Sequence, residues 1–337
     1  MLPSRFRALL VEQDGEGAFR RLVTQRELDS LPEADALIEV HYSSLNYKDA
    51  LSASGHAGVT RRYPHTPGID AAGVIARCSD GTFEPGDPVI VTGYDLGMNT
   101  SGGLAEYIAV PSGWIVPKPD GLSLRDCMVL GTAGFTAAWS VDALATHALD
   151  PAGDDVLVTG ATGGVGNLAV ALLSNLGHRV AALTGKSDQH DALASIGAAD
   201  ILDREALLAD ANRPLLKGRW QGAVDTVGGD VLDTVLRSIR PGGAVAACGM
   251  AMSPDLHTNV YPFILRQVSL IGIASADCAM PLRRRLWDLL SGDWRLRDLE
   301  HITREIDLDQ VSARVDEMLA GRSTGRTVVR VRGDSGI

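Results

Sequence analysis

Val156-Leu-Val-Thr-Gly160-Ala-Thr-Gly163-Gly164-Val-Gly166-Asn-Leu-Ala-Val-Ala-Leu-Leu173 decides the fold. An apolar, β-branched run meets a glycine cluster, which opens into Leu168, Ala169, Leu172, Leu173 and Leu176 at helical spacing. The reading is strand, tight turn, helix. Glycine suits such a turn because the backbone must bend sharply and approach a ligand that a Cβ would push away. The helix that follows offers unpaired N–H groups and the positive end of its dipole, which suits a dinucleotide pyrophosphate. The spacing is G-x-x-G-G-x-G rather than G-x-G-x-x-G, so Thr162, Gly163, Gly164 and Val165 are candidates on context, not on pattern. A plain tight connection is the competing reading.

Downstream of this stretch, strands are expected at 156–159, 179–184, 222–227, 243–248 and 268–273, with amphipathic segments near 188–196 and 230–240. Short β runs separated by helical connections imply a parallel sheet covered on both faces, a doubly wound Rossmann arrangement. Ligands then lie at the carboxyl ends of the strands. That singles out Thr184, Gly185 and Lys186, Val227 within Thr226–Gly229, Gly249 after Cys248, and Ser275 after Ala274.

The second strand end also bears on the cofactor. An NAD site carries an acid about 20 residues after the glycines to hold the ribose hydroxyls. Here Thr184-Gly185-Lys186-Ser187 stands in that place, and the first acid, Asp188, comes later. A carboxylate would repel a 2′-phosphate, whereas a hydroxyl, a free N–H and an ammonium would bind it, so NADPH is the expected cofactor.

Upstream, residues 5–120 are rich in strands and turns. Candidate strands are Arg7–Val11, Ala36–Tyr42, Gly73–Arg77, Pro88–Thr92 and Ala105–Val110, punctuated by Pro67-Gly68, Pro85-Gly86-Asp87 and Gly102-Gly103. A compact, partly open β-barrel is the expected outcome. From Ser123 to Ala148 the register changes: Ser123 with Asp126 reads as a helix start, and Gly131–Trp139 is rich in small residues. Beyond residue 280 come a helix bearing Leu282, Leu286, Leu289 and Leu290, a polar link, a helix at about 309–320, and a last strand Thr327–Val331 expected to return to the first domain.

With 337 residues and 45% hydrophobic content, two domains are favoured. A net charge of −11 argues against nucleic-acid or anionic-membrane partners. The four cysteines are scattered without a C-x-x-C pair, so neither a disulfide framework nor a zinc knuckle is indicated. The segment Met1–Arg7 lacks the apolar run of a signal peptide, and the glycines break the uncharged run 156–178. A soluble, cytoplasmic protein is expected.

Several strings in one order, Ser43-Ser-Leu-Asn-Tyr-Lys-Asp49, Pro67-Gly-Ile-Asp70, Gly102-Gly-Leu-Ala-Glu106, Gly131-Thr-Ala-Gly-Phe-Thr136, Val245-Ala-Ala-Cys-Gly249 and Pro262-Phe-Ile-Leu-Arg266, carry a resemblance that spans nearly the whole chain. The chain resembles the medium-chain dehydrogenase/reductase superfamily and, within it, the zinc-independent, quinone-oxidoreductase-like branch of NADPH-dependent acryloyl-CoA reductases. The resemblance implies a GroES-like, partly open β-barrel domain at 1–120 and 290–337, and a Rossmann NADPH-binding domain at 121–289. It places Tyr47 at the nicotinamide and adds Asn46 as a catalytic neighbour. It also adds Thr136, Arg204, Ile264 and Arg326, the last in Gly325-Arg326-Thr327, to the cofactor-binding set. Where zinc-dependent alcohol dehydrogenases resemble one another by a Cys in the first loop and a Gly-His-Glu turn, this chain has Asn46 and Gly68-Ile69-Asp70, and it lacks a four-cysteine lobe. No metal is expected.

Without a Lewis acid, conjugate reduction suits the site better than alcohol oxidation. Hydride delivered to the β-carbon of an enoyl thioester makes an enolate, which calls for a donor near the thioester oxygen and a proton for the α-carbon. Tyr47 is the candidate donor, with water as the alternative. Asp49 is expected to cap a short helix beginning at Ala50, and Arg283-Arg284-Arg285 is either a solvated face or a site for CoA phosphates. The expected reaction is reduction of acryloyl-CoA to propanoyl-CoA. The rivals are reduction of quinones or small enones, and, from another class, a non-catalytic NADPH-binding redox sensor. The expected partners are a small acyl-CoA or enone substrate and a second copy in a homodimer.

Overall fold

The computed structural model describes residues 2–147, 149–153, 155–209 and 213–332; Ala148, the end of the expected change of register, and 333–337 lie outside them. The chain forms two compact units, one from Met1–Thr132, Ala276–Ser291 and Thr303–Ile337, the other from Ala133–Ser275 and Gly292–Ile302.

In the first unit the strands are β1 (Arg5–Gln13), β2 (Phe19–Glu27), β3 (Ala36–Ser44), β4 (Asp70–Cys78), β5 (Pro88–Thr92), β6 (Tyr107–Val110) and β7 (Val116–Pro117). The second unit contributes β8 (Val156–Thr159), β9 (Val180–Thr184), β10 (Ala198–Asp203), β11 (Trp220–Asp225), β12 (Ile239–Ala247) and β13 (Ser269–Gly272); β14 (Thr303–Asp307) and β15 (Arg326–Arg330) then return to the first.

β1 and β2 form an antiparallel pair, and a seven-stranded sheet runs β14-β15-β3-β4-β5-β7 with β6 also on β3. The last strand returns to the first unit, as the sequence leads one to expect, and there pairs antiparallel with β3, Val328 opposite Ser44. Alternating apolar side chains bury Val11, Val40, Ile75, Val89, Ile108 and Val329 in one core. Segments 121–132 and 276–289, expected in the Rossmann domain, cluster with the first unit instead, and 292–302, expected in the first domain, clusters with the second unit; within 276–289 the anchoring contacts come from Arg283. Arg283 is buried at 1% exposure, and its guanidinium donates to the Thr92 carbonyl (2.7 Å) and the Ala276 carbonyl (2.9 Å), and lies 4.4 Å from the Tyr94 ring centroid. Its N–H groups therefore serve the fold rather than a CoA phosphate.

In the second unit the sheet order is β10-β9-β8-β11-β12-β13, every pair parallel. Relative to the first strand this is 3-2-1-4-5-6, the order of a dinucleotide-binding sheet. β8 is buried throughout, and the helix Gly164–Asn175 buries Leu168, Leu172 and Leu173. Both agree with the opening stretch. Strands β2, β7, β10 and β14 were not legible: β2 carries charged pairs at Arg20-Arg21 and Arg26-Glu27, β14 carries Arg304, Glu305 and Asp307 in five residues, β7 has two residues, and β10 is a half-exposed edge. The helix Leu124–Ala145 opens on the expected reciprocal cap, Ser123 N–H to Asp126 Oδ2 (3.2 Å) and Asp126 N–H to Ser123 Oγ (3.0 Å), and kinks at Gly131, whose φ is 51°. It is long and apolar enough to cross a membrane, but 78% of its apolar window is buried in the protein.

Candidate active site and nucleotide site

The carboxyl edge of the parallel sheet gathers most of the expected cofactor residues. Thr162, Gly163, Gly164 and Val165 follow β8, Thr184 ends β9 with Gly185 and Lys186 beyond it, Val227 follows β11, Gly249 follows β12, and Ser275 follows β13. Gly160 has a φ of 58°, and the helix begins at Gly164 with Gly163 as N-cap. The first-turn N–H groups of Gly164, Val165 and Gly166 have no intrahelical acceptor, which is what an anion needs. A Cβ on Gly163 would find only the Gly160 carbonyl, 3.3 Å away, so that surface is open, whereas one on Gly166 would overlap the backbone of Gly160 and Ala161. The residues present thus fit a pyrophosphate.

At the end of β9 the Thr184 hydroxyl accepts from the Lys186 N–H (3.0 Å), shaping the turn. The Arg204 guanidinium lies against Gly185: Nη2, Cζ and Nε stand 3.2, 3.4 and 3.7 Å from where a Cβ would be. Asp203, the nearby acid, caps its own helix by accepting from the Glu205 N–H (2.7 Å) and Ala206 N–H (3.1 Å). The Arg204 guanidinium and the Thr184 hydroxyl therefore lie at this turn, whose backbone includes Lys186. Thr136, on the Leu124–Ala145 helix, donates to Ser275 Oγ at 2.8 Å, so these two expected residues do meet. Ile264 sits on the helix Tyr261–Arg266 at 69% exposure.

Sequence reasoning missed Asp225. It is fully buried at the end of β11, accepts from the Thr159 hydroxyl (2.7 Å) and the Gly228 N–H (2.9 Å), and so ties β8 to the loop that carries Val227. Burial pushes its pKa up, opposed by these hydrogen bonds. An aspartate ending the apolar run Ala223-Val-Asp was the available signal.

The first unit holds Asn46, Tyr47 and Arg326. The short helix is Tyr47–Ser52, not one beginning at Ala50, and Asn46 is its N-cap. Asp49 does cap, but from the third position: its Oδ2 accepts from the Asn46 N–H (2.7 Å) and its Oδ1 from the Ile69 N–H (2.8 Å). Burial pushes the Asp49 carboxyl up to about 7, with Asp70 adding to the rise and the N–H donors opposing it. Tyr47 stands outward at 55% exposure. Asn46 turns inward, donating from Nδ2 to Asp70 Oδ2 (2.8 Å) and accepting at Oδ1 from Arg326 Nη1 (3.2 Å).

Arg326 is only 2% exposed, its Nε donating to the Val129 carbonyl (2.8 Å) and its Nη2 to Ser44 Oγ (2.9 Å). Burial pulls its pKa down, opposed by Asp70 and Asp49. Asp70 also accepts from Ser44 Oγ (2.5 Å), Thr132 Oγ1 (2.6 Å) and the Thr132 N–H (3.0 Å).

Both units match known family models: residues 32–120 the alcohol dehydrogenase GroES-like domain, and 164–291 the zinc-binding dehydrogenase model. Together with the sheet order, these define a two-domain, nucleotide-dependent dehydrogenase. The chain belongs to the medium-chain dehydrogenase/reductase superfamily and is an oxidoreductase. It is 42% identical to the acrylyl-CoA reductase AcuI of Ruegeria pomeroyi over 97% of this chain and 99% of that protein. The yhdH oxidoreductase of Salmonella enterica, solved in complex with NADP, is 43% identical and superposes with a TM-score of 0.93 over 97% of this chain and 100% of that one. The Bacillus subtilis protein yhfP, solved with NAD bound, is 42% identical with a TM-score of 0.94 over 98% of this chain and 100% of that one.

A zinc ion does not fit the Asn46 and Asp70 place. Ser44, Asn46 and Asp70 offer a hydroxyl, an amide and one carboxylate rather than thiolate and imidazole, and the Arg326 guanidinium already stands 2.9 and 3.2 Å from the first two. Among the described residues no group of three or more His, Cys, Asp or Glu side chains is arranged to hold a metal.

Proposed function

We propose that the chain reduces the conjugated C=C of acryloyl-CoA to propanoyl-CoA with NADPH. The observation that carries the cofactor half is the end of β9, where Arg204 lies on Gly185 beside Lys186 and the adjacent Asp203 is committed to a helix cap. The substrate half is supported by the 42% identity to a protein named acrylyl-CoA reductase. When bound, NADPH supplies the hydride that adds to the β-carbon. The residues after β8 hold the pyrophosphate, Lys186 and Arg204 hold the 2′-phosphate, and Tyr47, outward on its capped turn, donates toward the thioester oxygen or the α-carbon as the C=C electron pair shifts toward the thioester. The zinc-independent character of this reading is supported by the Arg326 guanidinium in the Asn46 and Asp70 place.

The test follows NADPH absorbance at one enzyme concentration with acryloyl-CoA, and in parallel with NADH and with a simple quinone. NADPH oxidation dependent on the CoA ester is the expected result. A quinone turned over in preference would favour the reading suggested by the relative named putative quinone oxidoreductase YhfP, and would overturn the CoA assignment. A homodimer paired along the exposed β13 edge, where Leu270 is 38% exposed, belongs to the same proposal and is read by sedimentation. So does a cytoplasmic location, supported by four cysteines that are free thiols.

A further inference from the structure

The polar cluster of the first unit is built around a point that no side chain occupies. A Cβ on Gly131 would stand 2.6 Å from Asp70 Oδ2, 2.8 Å from Ser44 Oγ and 2.9 Å from Arg326 Nη2. A glycine with a φ of 51° is what lets the helix Leu124–Ala145 bring Val129, whose carbonyl takes the Arg326 Nε–H, and Thr132, whose hydroxyl and N–H go to Asp70, onto this cluster. Arg326 does not reach Asp70 directly. It reaches it through Ser44, which accepts from the guanidinium and donates to the carboxylate, and through Asn46, which does the same with the two ends of its amide.

Both ends of the Asn46 amide are thus fixed by opposite charges, and Asn46 is also the N-cap of the Tyr47 helix, with its carbonyl accepting from the Asp49 N–H (3.0 Å) and Ala50 N–H (3.2 Å). Rotation of the turn would break one charge-assisted hydrogen bond to a buried carboxylate and one from a buried guanidinium together. We propose that Arg326 and Asp70 are positioning residues: an internal guanidinium and a carboxylate that clamp Asn46 from its two ends and so fix the direction in which Tyr47 is presented. Asn46 then acts through this clamp and not by touching substrate. The inference rests on the reading above, in which Tyr47 faces the reacting atoms.

The experiment uses the full-length protein with NADPH, in wild type, Arg326→Met, the paired Asp70→Asn/Arg326→Met, and Asn46→Ala. Measured are kcat, KM for NADPH, thermal stability and backbone amide exchange at residues 46–50. Arg326→Met leaves a buried carboxylate without its cation, so it loses stability as well as activity. The paired variant has no unbalanced charge; it is expected to regain most of that stability while kcat stays at least 10-fold below wild type, KM for NADPH stays within two-fold, and the Asp49 and Ala50 amides exchange faster. Asn46→Ala leaves the Ser44 bridge between the charges in place and should show the same kcat loss, which decides the matter if an Arg326 variant does not fold. Recovery of kcat together with stability in the paired variant, or a wild-type kcat in Asn46→Ala, would overturn the clamp. If wild type reduces no enone at all, the proposed function fails first. The clamp is then judged by exchange alone, and unchanged exchange at 49 and 50 in Asn46→Ala and the paired variant sinks it.

Discussion

Gly166→Ala tests the nucleotide turn most directly, because the structure fixes what the added methyl meets. Its Cβ would lie 2.8 Å from both the Ala161 Cα and the Gly160 carbonyl carbon, and closer still to the Gly160 oxygen. Ordinary contacts begin near about 3.5 Å, so the helix Gly164–Asn175 has to withdraw by roughly 1 Å or the turn has to deform. Overpacking of this kind costs about 1–3 kcal/mol, which for a unit of this size lowers Tm by about 2–4 °C per kcal/mol. The same movement takes the first-turn N–H groups out of hydrogen-bond reach of the pyrophosphate. Bonds to a charged acceptor are worth about 1.5–3 kcal/mol, so losing one weakens NADPH by roughly 10- to 150-fold. The Kd is read from quenching of intrinsic fluorescence, and Tm from circular dichroism of the unliganded protein. Gly163→Ala is the control, since its φ of −79° suits alanine and its nearest neighbour is 3.3 Å away. It should cost less than about 1 kcal/mol of stability as a changed N-cap, so any larger loss of NADPH binding in it reports close approach of the ligand. A Gly166→Ala protein that melts with wild type and binds NADPH within two-fold would refute the reasoning.

Arg204→Ala, and separately Lys186→Ala, should raise KM for NADPH by about 10-fold or more through loss of a charged contact to the 2′-phosphate, with KM for NADH little changed; equal effects on both cofactors would remove the phosphate from the argument. Tyr47→Phe should lower kcat by at least about 10-fold in stopped-flow turnover, on the scale of general acid catalysis, and an unchanged kcat would reduce Tyr47 to its ring. Asp49 predicts a pH effect: with its folded pKa near 7 and a reference value near 4, the folded state holds the extra proton. Its contribution is therefore fully present below about pH 4 and is lost as pH rises toward 7, at up to about 1.4 kcal/mol per pH unit. Asp49→Asn, which mimics the protonated acid, should flatten that part of the wild-type slope in urea melts from pH 5 to 8. Parallel slopes would show that Asp49 is already ionised.

Much of the second unit was legible because its signals are local. The strand, the glycines and the helix lie within 18 consecutive residues, and the strand ends follow by rule once the alternation is seen. The edge strand Ala198–Asp203 was not, since a half-exposed strand carries no apolar run. Arg204 came from the resemblance; nothing in its own neighbourhood in sequence says that it will lie on Gly185, 19 positions earlier. The first unit hid more. That Asn46, Asp70, Thr132 and Arg326 converge depends on contacts spanning up to 280 positions, with register set by β3 pairing to β4 and β15. A sequence can show that Asp70 ends a loop; it cannot show which cation will sit opposite.

The description of the family model over 164–291 names zinc, but most of that stretch is the parallel nucleotide-binding sheet and its helices. The residues that decide the metal question lie in the other matched stretch, 32–120, together with the returning strand: Asn46, Asp70 and Arg326. There a guanidinium bridges to a carboxylate through a hydroxyl and an amide, so the charge a divalent ion would bring is already supplied, by a group with no open coordination position. A buried arginine can orient neighbours but cannot polarise a substrate oxygen it does not touch. On the proposed reading the proton donor is then a side chain that faces outward, and Tyr47, beside Asn46 and 55% exposed, has both the exposure and a hydroxyl to donate.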